Sequence, residues 1–94
     1  MERSEVYRIL DGERDYQDEK WTLSNIENGI PDEEKSLGEW LSFIQFHVNK
    51  SREILNFEGR SEKALDELRK LTTLGVVALE MLGCPERETT TNKD

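Results

Sequence analysis

The chain has 94 residues, a formal net charge of −8 and a single cysteine, Cys84. A chain of this length forms one small domain that buries only about 60–65% of the surface exposed on unfolding, so it gains stability from a partner chain. The acidic charge argues against direct binding of nucleic acid or of an anionic membrane surface, because both require clustered lysines and arginines. It is compatible with a protein partner that has a basic face.

The distribution of cysteine and apolar residues bears on location. One cysteine cannot form a disulfide within the chain, and no apolar run reaches the ~18 residues of a membrane span. The N-terminus lacks the apolar stretch of a signal peptide. These features predict a soluble, cytoplasmic protein in a reducing compartment.

Residues 3–20 have the periodicity of a first α-helix. Glu13 lies near the centre of its apolar side, where an unpaired carboxylate is costly. Glu13 therefore either binds a polar ligand or Mg²⁺, or lies at the rim of the helix and pairs with Lys20 or Arg69. The apolar side contains Val6, Ile9, Leu10, Tyr16 and Trp21.

The sequence predicts a loop over residues 22–35, because Asn28-Gly29 and Pro31-Asp32 are turn signals. The sequence predicts a second helix over residues 37–57, which begins with a capping box formed by Ser36 and Glu39. Two adjacent, largely apolar stripes of side chains cover roughly 200° of the circumference of this helix, taking 100° per residue. One stripe contains Leu37, Leu41, Ile44, Val48, Ser51 and Leu55, and the other contains Trp40, Phe43, His47 and Ile54.

Residues 62–82 predict the third helix, after a turn at Gly59 and an N-cap at Ser61. Gly83 and Pro85 end it. Its second half is apolar nearly all round, so it requires cover on more than one side. In its first half we expect Ala64, Leu65, Leu68 and Leu71 to point inward and Glu62, Asp66, Glu67 and Lys70 to point outward.

These elements predict an all-α fold, with a long antiparallel helical hairpin and an N-terminal helix in one domain at residues 1–85. The polar tail at residues 86–94 is expected to be disordered. The apolar surface exceeds what one hairpin covers, which predicts an oligomeric helical bundle. We expect its interface to contain Trp40, Phe43, Leu74, Val77 and Met81, and we expect Val77→Glu to dissociate it.

His47 is the only histidine, and a lone histidine without a nearby cysteine is a poor metal site. It is either a core or interface residue, or a hydrogen-bond donor in a pocket. The aromatic residues Tyr16, Trp21, Trp40 and Phe43 either stack on a base or form core.

A cluster of basic residues lies near the hairpin turn. Its residues either hold a phosphate or nucleotide, or pair with neighbouring carboxylates as a solvated face. The cluster contains Arg52, Arg60, Lys63, Arg69 and Lys70.

Four segments together resemble a known family: ERDYQDEKW at residues 13–21, GEWL at 38–41, ALDELRK at 64–70 and VALE at 77–80. They are similar to small phage and prophage proteins and, more distantly, to the MazG-type all-α nucleoside triphosphate pyrophosphohydrolases. The resemblance implies a helical bundle assembled as a dimer or larger oligomer. It also implies a nucleotide ligand between helices and, in active members, Mg²⁺.

The chain departs from the catalytic pattern of that family. Those enzymes place E-x-x-E on one helix and E-x-x-D on the next, so that several carboxylates hold Mg²⁺ against the phosphates. The second helix here has only Glu39 and Glu53 as acidic residues, and Glu13 with Asp18 or Asp66 forms an incomplete site at most. We therefore expect no catalytic residue and no resident metal.

Together these observations favour a small phage-type protein, in the cytoplasm of a bacterial host, that captures a nucleotide-derived ligand without hydrolysing it. Such a ligand would be, for example, a host defence signal. Two alternatives stay open: a Mg²⁺-dependent nucleotide pyrophosphohydrolase, and an acidic inhibitor that binds a host protein. The expected ligand-binding residues are Glu13, Tyr16, Trp21, His47, Arg52, Arg69 and Lys70.

Overall fold

The computed structural model describes residues 1–28 and 32–88, and the side chains of residues 1–20 and 32–88. Within this part of the chain it contains no β-strand, and its three α-helices confirm the predicted all-α fold. A short 3-10 turn at Asp32–Glu34 precedes the second helix, and a π-helical segment at Ile54–Glu58 follows it. The helices are α1 (Arg3–Asn28), α2 (Leu37–Glu53) and α3 (Ser61–Leu82).

Helix α1 is longer than the sequence predicts, and the loop expected from residue 22 is wrong for residues 22–28. The physical reason is that the turn signals stand at the end of this segment. Gly29 and Pro31 follow Asn28, the last helical residue, and nothing before them breaks the helix. Residues 29–31 of the expected loop lie outside the described part of the chain.

The start of α2 confirms the predicted capping box. The Oγ atom of Ser36 accepts a hydrogen bond from the backbone N–H of Glu39 at 3.1 Å, and the Ser36 N–H donates to Oε1 of Glu39 at 3.0 Å. Two of the unpaired N–H groups at the helix start are thereby satisfied. The end of α2 is earlier than predicted, because residues 54–58 form the π-helical segment.

Two glycines end helical segments as predicted. Gly59 closes the π-helical segment at φ 65°, a left-handed conformation that side chains with a Cβ atom rarely adopt. Gly83 ends α3, and its N–H donates to the carbonyl of Leu79 at 2.9 Å. The predicted N-cap at Ser61 is wrong by one residue. Arg60 is the cap, because its carbonyl already accepts the N–H of Ala64.

Helices α2 and α3 pack against each other, and the order of their contacts shows that the two helices run in opposite directions. Ser51 near the end of α2 donates its Oγ hydrogen to the carbonyl of Ala64 near the start of α3 at 3.1 Å. One turn earlier in α2, His47 meets Glu67. The buried cluster formed further along the pair contains Trp40, Leu74, Val77 and Ala78, with Ile44 packed on it.

Helix α1 packs on α3 through ion pairs near the middle of α1. The Nε atom of Arg69 lies 2.8 Å from Oε1 of Glu13, and the Nε atom of Arg14 lies 2.5 Å from Oε2 of Glu80. These contacts join consecutive residues of α1 to both halves of α3. They place α1 on a different side of α3 from α2.

The burial of α3 corrects two expectations. Leu65 and Leu68 are exposed rather than inward, whereas Glu67 is buried rather than outward. The reason is helical geometry, because Glu67 precedes the core residue Leu74 by seven positions, which is almost two full turns. The large core residues of the second half therefore determine the rotation of the whole helix.

The predicted oligomer interface also requires correction. Trp40 of α2 and Leu74 and Val77 of α3 are at most 2% exposed, because they pack together in one buried cluster within the chain. They are therefore core residues of one chain and are not available to an oligomer interface. Phe43 and Met81 are 45% and 37% exposed, so they stay available at the surface.

Candidate functional site

A cavity of about 240 Å³ lies where the three helices meet. Each helix contributes side chains from one face, at spacings of three or four residues. The cavity is open to solvent on one side and is backed by the apolar side chain of Leu74. Its lining consists of Glu13, Tyr16, Gln17 and Lys20 from α1, His47 and Lys50 from α2, and Lys70 and Leu74 from α3.

Glu13 is paired within the protein. Its carboxylate is largely buried and accepts hydrogen bonds from Nε of Arg69 at 2.8 Å and from Nε2 of Gln17 at 3.1 Å. The hydrogen bond to Glu13 raises the pKa of Arg69 above its ordinary value. Of the two roles that the sequence left open for Glu13, the structure shows the pairing with Arg69.

Glu67 is buried between α2 and α3, in contact with side chains that line the cavity. It is 4% exposed, and His47 Nδ1 lies 2.9 Å from its Oε2, while Nζ of Lys50 and Nζ of Lys70 each lie 3.4 Å from Oε1. Burial opposes ionisation, but the His47 hydrogen bond and the two lysine charges outweigh it and hold the pKa of Glu67 below its ordinary value of 4.5. The ionised carboxylate can only accept, so Nδ1 of His47 carries the hydrogen. In the neutral imidazole, Nε2 of His47 is then a hydrogen-bond acceptor for the cavity.

Three ammonium groups surround the cavity. Lys50 and Lys70 are 48% and 38% exposed in their side chains, so each can turn toward a ligand while staying close to Glu67. Lys20 extends from α1, with Nζ 6.0 Å from the centroid of the Tyr16 ring. The cavity wall is therefore basic, although the chain as a whole has a charge of −8.

Gln17 presents an unused hydrogen-bond acceptor. The residue is 4% exposed, and its Nε2 donates to Glu13 and, at 3.4 Å, to the carbonyl of Lys70. Its Oε1 is buried and has no hydrogen-bond partner among the described residues. A buried acceptor without a partner costs roughly 1–3 kcal/mol, which a ligand N–H or O–H would recover.

The structure brings together four of the seven residues expected to bind a ligand: Glu13, Tyr16, His47 and Lys70. Arg69 lies behind the wall, against Glu13. Arg52 is exposed and does not line the cavity, so the structure does not bring it to this site. The side chain of Trp21 lies outside the described residues.

Sequence reasoning missed Gln17, Lys20 and Lys50. The signal was their spacing, because Gln17 and Lys20 follow Glu13 by four and seven positions, and Lys50 follows His47 by three. Of the two alternatives for the basic cluster at the turn, the structure shows pairing with a neighbouring carboxylate for Lys63, whose Nζ lies 3.2 Å from Oε1 of Glu58.

Within the described part of the chain, no three histidine, cysteine, aspartate or glutamate side chains gather in a way that would hold a metal ion. The residues near the cavity therefore do not fit a Mg²⁺ cage. None of the helices in residues 1–28 and 32–88 combines the length and apolar character needed to cross a membrane.

Comparison of the chain with protein-family models, with curated proteins and with solved structures finds no significant match. The evidence for function is therefore the geometry of the cavity and the chemistry of its lining.

Proposed function

We propose that this protein binds a small anionic ligand of the nucleotide class in the cavity between its three helices. The observation that carries the proposal is the convergence of Lys20, Lys50 and Lys70 on one cavity. Ammonium groups are common phosphate ligands. Lys50 and Lys70 also pair with Glu67, and Lys70 pairs with Asp66, so a bound phosphate would share these two lysines with those carboxylates.

The remaining lining residues suit the non-phosphate part of such a ligand. Tyr16 is 59% exposed at the edge of the cavity and offers a ring face for stacking. The free Oε1 of Gln17 accepts a hydrogen bond from an amino, imino or hydroxyl group. The cavity is smaller than the roughly 300 Å³ at which sites for drug-sized ligands begin, so only the phosphates enter fully while the base lies against Tyr16.

We further propose that the ligand is captured without hydrolysis. Both carboxylates at the site are engaged by cations of the chain itself, Glu13 by Arg69 and Glu67 by Lys50 and Lys70. A Mg²⁺ ion would have to displace these partners. The phage-type role, a host defence signal as ligand and a bacterial cytoplasm as the setting are supported by the sequence resemblance alone.

The test is titration calorimetry of the purified chain with linear and cyclic nucleotides, with inorganic phosphate and pyrophosphate as smaller probes. We expect saturable binding of at least one nucleotide, and no heat with any of them would overturn the proposal. Incubation of the same nucleotides with Mg²⁺ and a phosphate and pyrophosphate assay tests the enzyme alternative. If the unchanged protein releases phosphate or pyrophosphate and the Glu13→Gln variant does not, the protein hydrolyses the nucleotide rather than capturing it intact.

The acidic-inhibitor alternative has one structural observation in its favour. The side of α1 that faces solvent has exposed carboxylates at spacings of three and four residues, namely Asp11, Asp15 and Asp18. A basic protein partner would meet this side without blocking the cavity. One stoichiometric partner recovered from bacterial lysate, and lost when Asp11 and Asp15 are changed to asparagine, would favour this function.

A further inference from the structure

Seven leucines of the α2–α3 pair form a surface that the chain leaves half exposed, and we call it the leucine face. Their exposed fractions are between 45% and 61%. Isolated exposed leucines are common on soluble proteins, but a contiguous group of this size is not. The leucine face consists of Leu37 and Leu41 in α2, Leu55 in the π-helical segment, and Leu65, Leu68, Leu79 and Leu82 in α3.

Helical geometry places these leucines together. At 100° per residue, Leu65, Leu68 and Leu79 lie within about 60° of one another on α3, and Leu37 and Leu41 lie within about 40° on α2. Because α2 and α3 run in opposite directions, the two stripes lie on the same side of the pair. At Leu68 and Leu79 that side is away from α1, because Arg69 and Glu80, the partners of α1 on α3, lie about 80–120° from these two leucines. Arg69 lies about 40° from Leu65.

The part of α3 in the leucine face has no charged residue. All charged residues of α3 occupy about 160° of its circumference, and the remaining arc of roughly 200° has none. Thr72 and Gly75 both lie within this arc, between the leucines. The net charge of −8 is therefore concentrated elsewhere and does not oppose the approach of an identical surface.

We propose that a second copy of this chain packs on the leucine face, so that two α2–α3 pairs form a four-helix core. Seven half-exposed leucines offer roughly 600–700 Å² of apolar surface per copy, close to the ~800 Å² per partner of a stable interface. A partner with a basic or acidic surface would find no opposite charge on this arc of α3. An identical copy brings the same uncharged surface, with leucines that can pack beside Thr72 and Gly75 of its partner.

This assembly is independent of the ligand cavity. His47 and Lys50 point to the α1 side of α2, whereas Leu37 and Leu41 point to the opposite side. Two copies joined through the leucine face therefore leave both cavities open. Loss of assembly should leave nucleotide affinity unchanged, so a failure of this proposal is distinguishable from a failure of the proposed function.

The test is the molar mass of the full chain by light scattering and sedimentation, in reducing agent so that a Cys84 disulfide does not mimic assembly. We expect a dimer or a larger assembly, and at least about a 100-fold weaker association for the double variant Leu68→Glu, Leu79→Glu, because four charges would then be buried. Phe46→Glu is the matched control, since Phe46 is 61% exposed but lies on a different side of α2. It should assemble like the unchanged chain.

Two results would overturn the proposal: a monomer at all concentrations, or a double variant that assembles as tightly as the control. If the glutamate variant loses its helical circular dichroism, Leu68→Gln with Leu79→Gln replaces it. These neutral side chains keep helix propensity, and we expect at least about a 10-fold weaker association. A melting temperature that rises with concentration in the unchanged chain, but not in this variant, would support the same conclusion.

Discussion

The Nδ1 atom of His47 lies 2.9 Å from the Oε2 atom of Glu67, and this contact joins α2 to α3 beside the cavity. It orders the imidazole that lines the cavity and satisfies a carboxylate that is 4% exposed. Lys50 and Lys70 surround the other oxygen of the same carboxylate. Glu67 is therefore both a structural link between two helices and the residue that positions three lining side chains.

Glu67→Gln should lower the free energy of unfolding by about 1–3 kcal/mol at neutral pH, because hydrogen bonds to a buried charge are lost. The pKa of Glu67 is depressed in the folded state, so its contribution is present above the ordinary value of 4.5 and is lost as pH falls through the folded value. Urea unfolding of the unchanged protein and of the variant, from neutral to acidic pH, measures the difference between their free energies of unfolding. This difference should disappear as the pH falls below 4.5. Glu62→Gln, an exposed change in the first turn of the same helix, should show a much smaller difference, because only the interaction of its charge with the helix N-terminus is lost.

The Glu13–Arg69 pair should be energetically coupled, because it joins α1 to α3 and the carboxylate is largely buried. Glu13→Gln and Arg69→Gln should each destabilise the chain, and the double variant should cost less than their sum by about 1 kcal/mol. Chemical unfolding of the four proteins gives the coupling directly. The exposed Glu5–Arg8 pair within α1 serves as a control cycle and should couple more weakly. Strict additivity at Glu13 and Arg69 would contradict the pairing.

Val77→Ala should destabilise the chain by about 2–3 kcal/mol, because Val77 is fully buried and its loss leaves a cavity. Val76→Ala is the matched control on the neighbouring position, 38% exposed, and should cost less than about 1 kcal/mol. Thermal unfolding followed by circular dichroism compares the two. For the same reason, we now expect Val77→Glu to unfold the chain rather than to release folded subunits. Equal effects of the two alanine changes would contradict the burial of Val77.

Lys20→Gln combined with Lys50→Gln should weaken binding of the tightest nucleotide of the calorimetry panel by at least about 10-fold, because two charge-assisted contacts to phosphate are removed. Added salt should weaken binding to the unchanged protein more than to the variant. Arg60→Gln combined with Lys63→Gln at the turn is the control with the same charge change, and its affinity should match that of the unchanged chain. An equal loss in the variant and the control would indicate attraction by overall charge rather than by the cavity.

Part of the site could be predicted from the sequence. Glu13 and His47 stood out because each is a polar residue on an apolar stripe, and both line or border the cavity. Lys20 and Lys50 could not be recognised, because a lysine on a solvated helix face and a lysine at a ligand site have the same local pattern. Only the packing of α1 beside α2 and α3 distinguishes them.

The features at the ends of the helices could be predicted from the sequence alone. The capping box of Ser36 and Glu39, the turn at Gly59 and the helix end at Gly83 each depend on residues a few positions apart, so the sequence determines them. The all-α class follows from the same local periodicity.

The tertiary structure alone decided which side of each helix faces inward. The apolar arc of α3 is wider than any one neighbour can cover, so the sequence permits several rotations of that helix. Packing of Leu74 and Val77 against Trp40 selects one rotation, and that rotation buries Glu67 and exposes Leu65 and Leu68. Both the basic cavity and the leucine face are consequences of this choice, because close packing of large side chains outweighs the preference of any single residue.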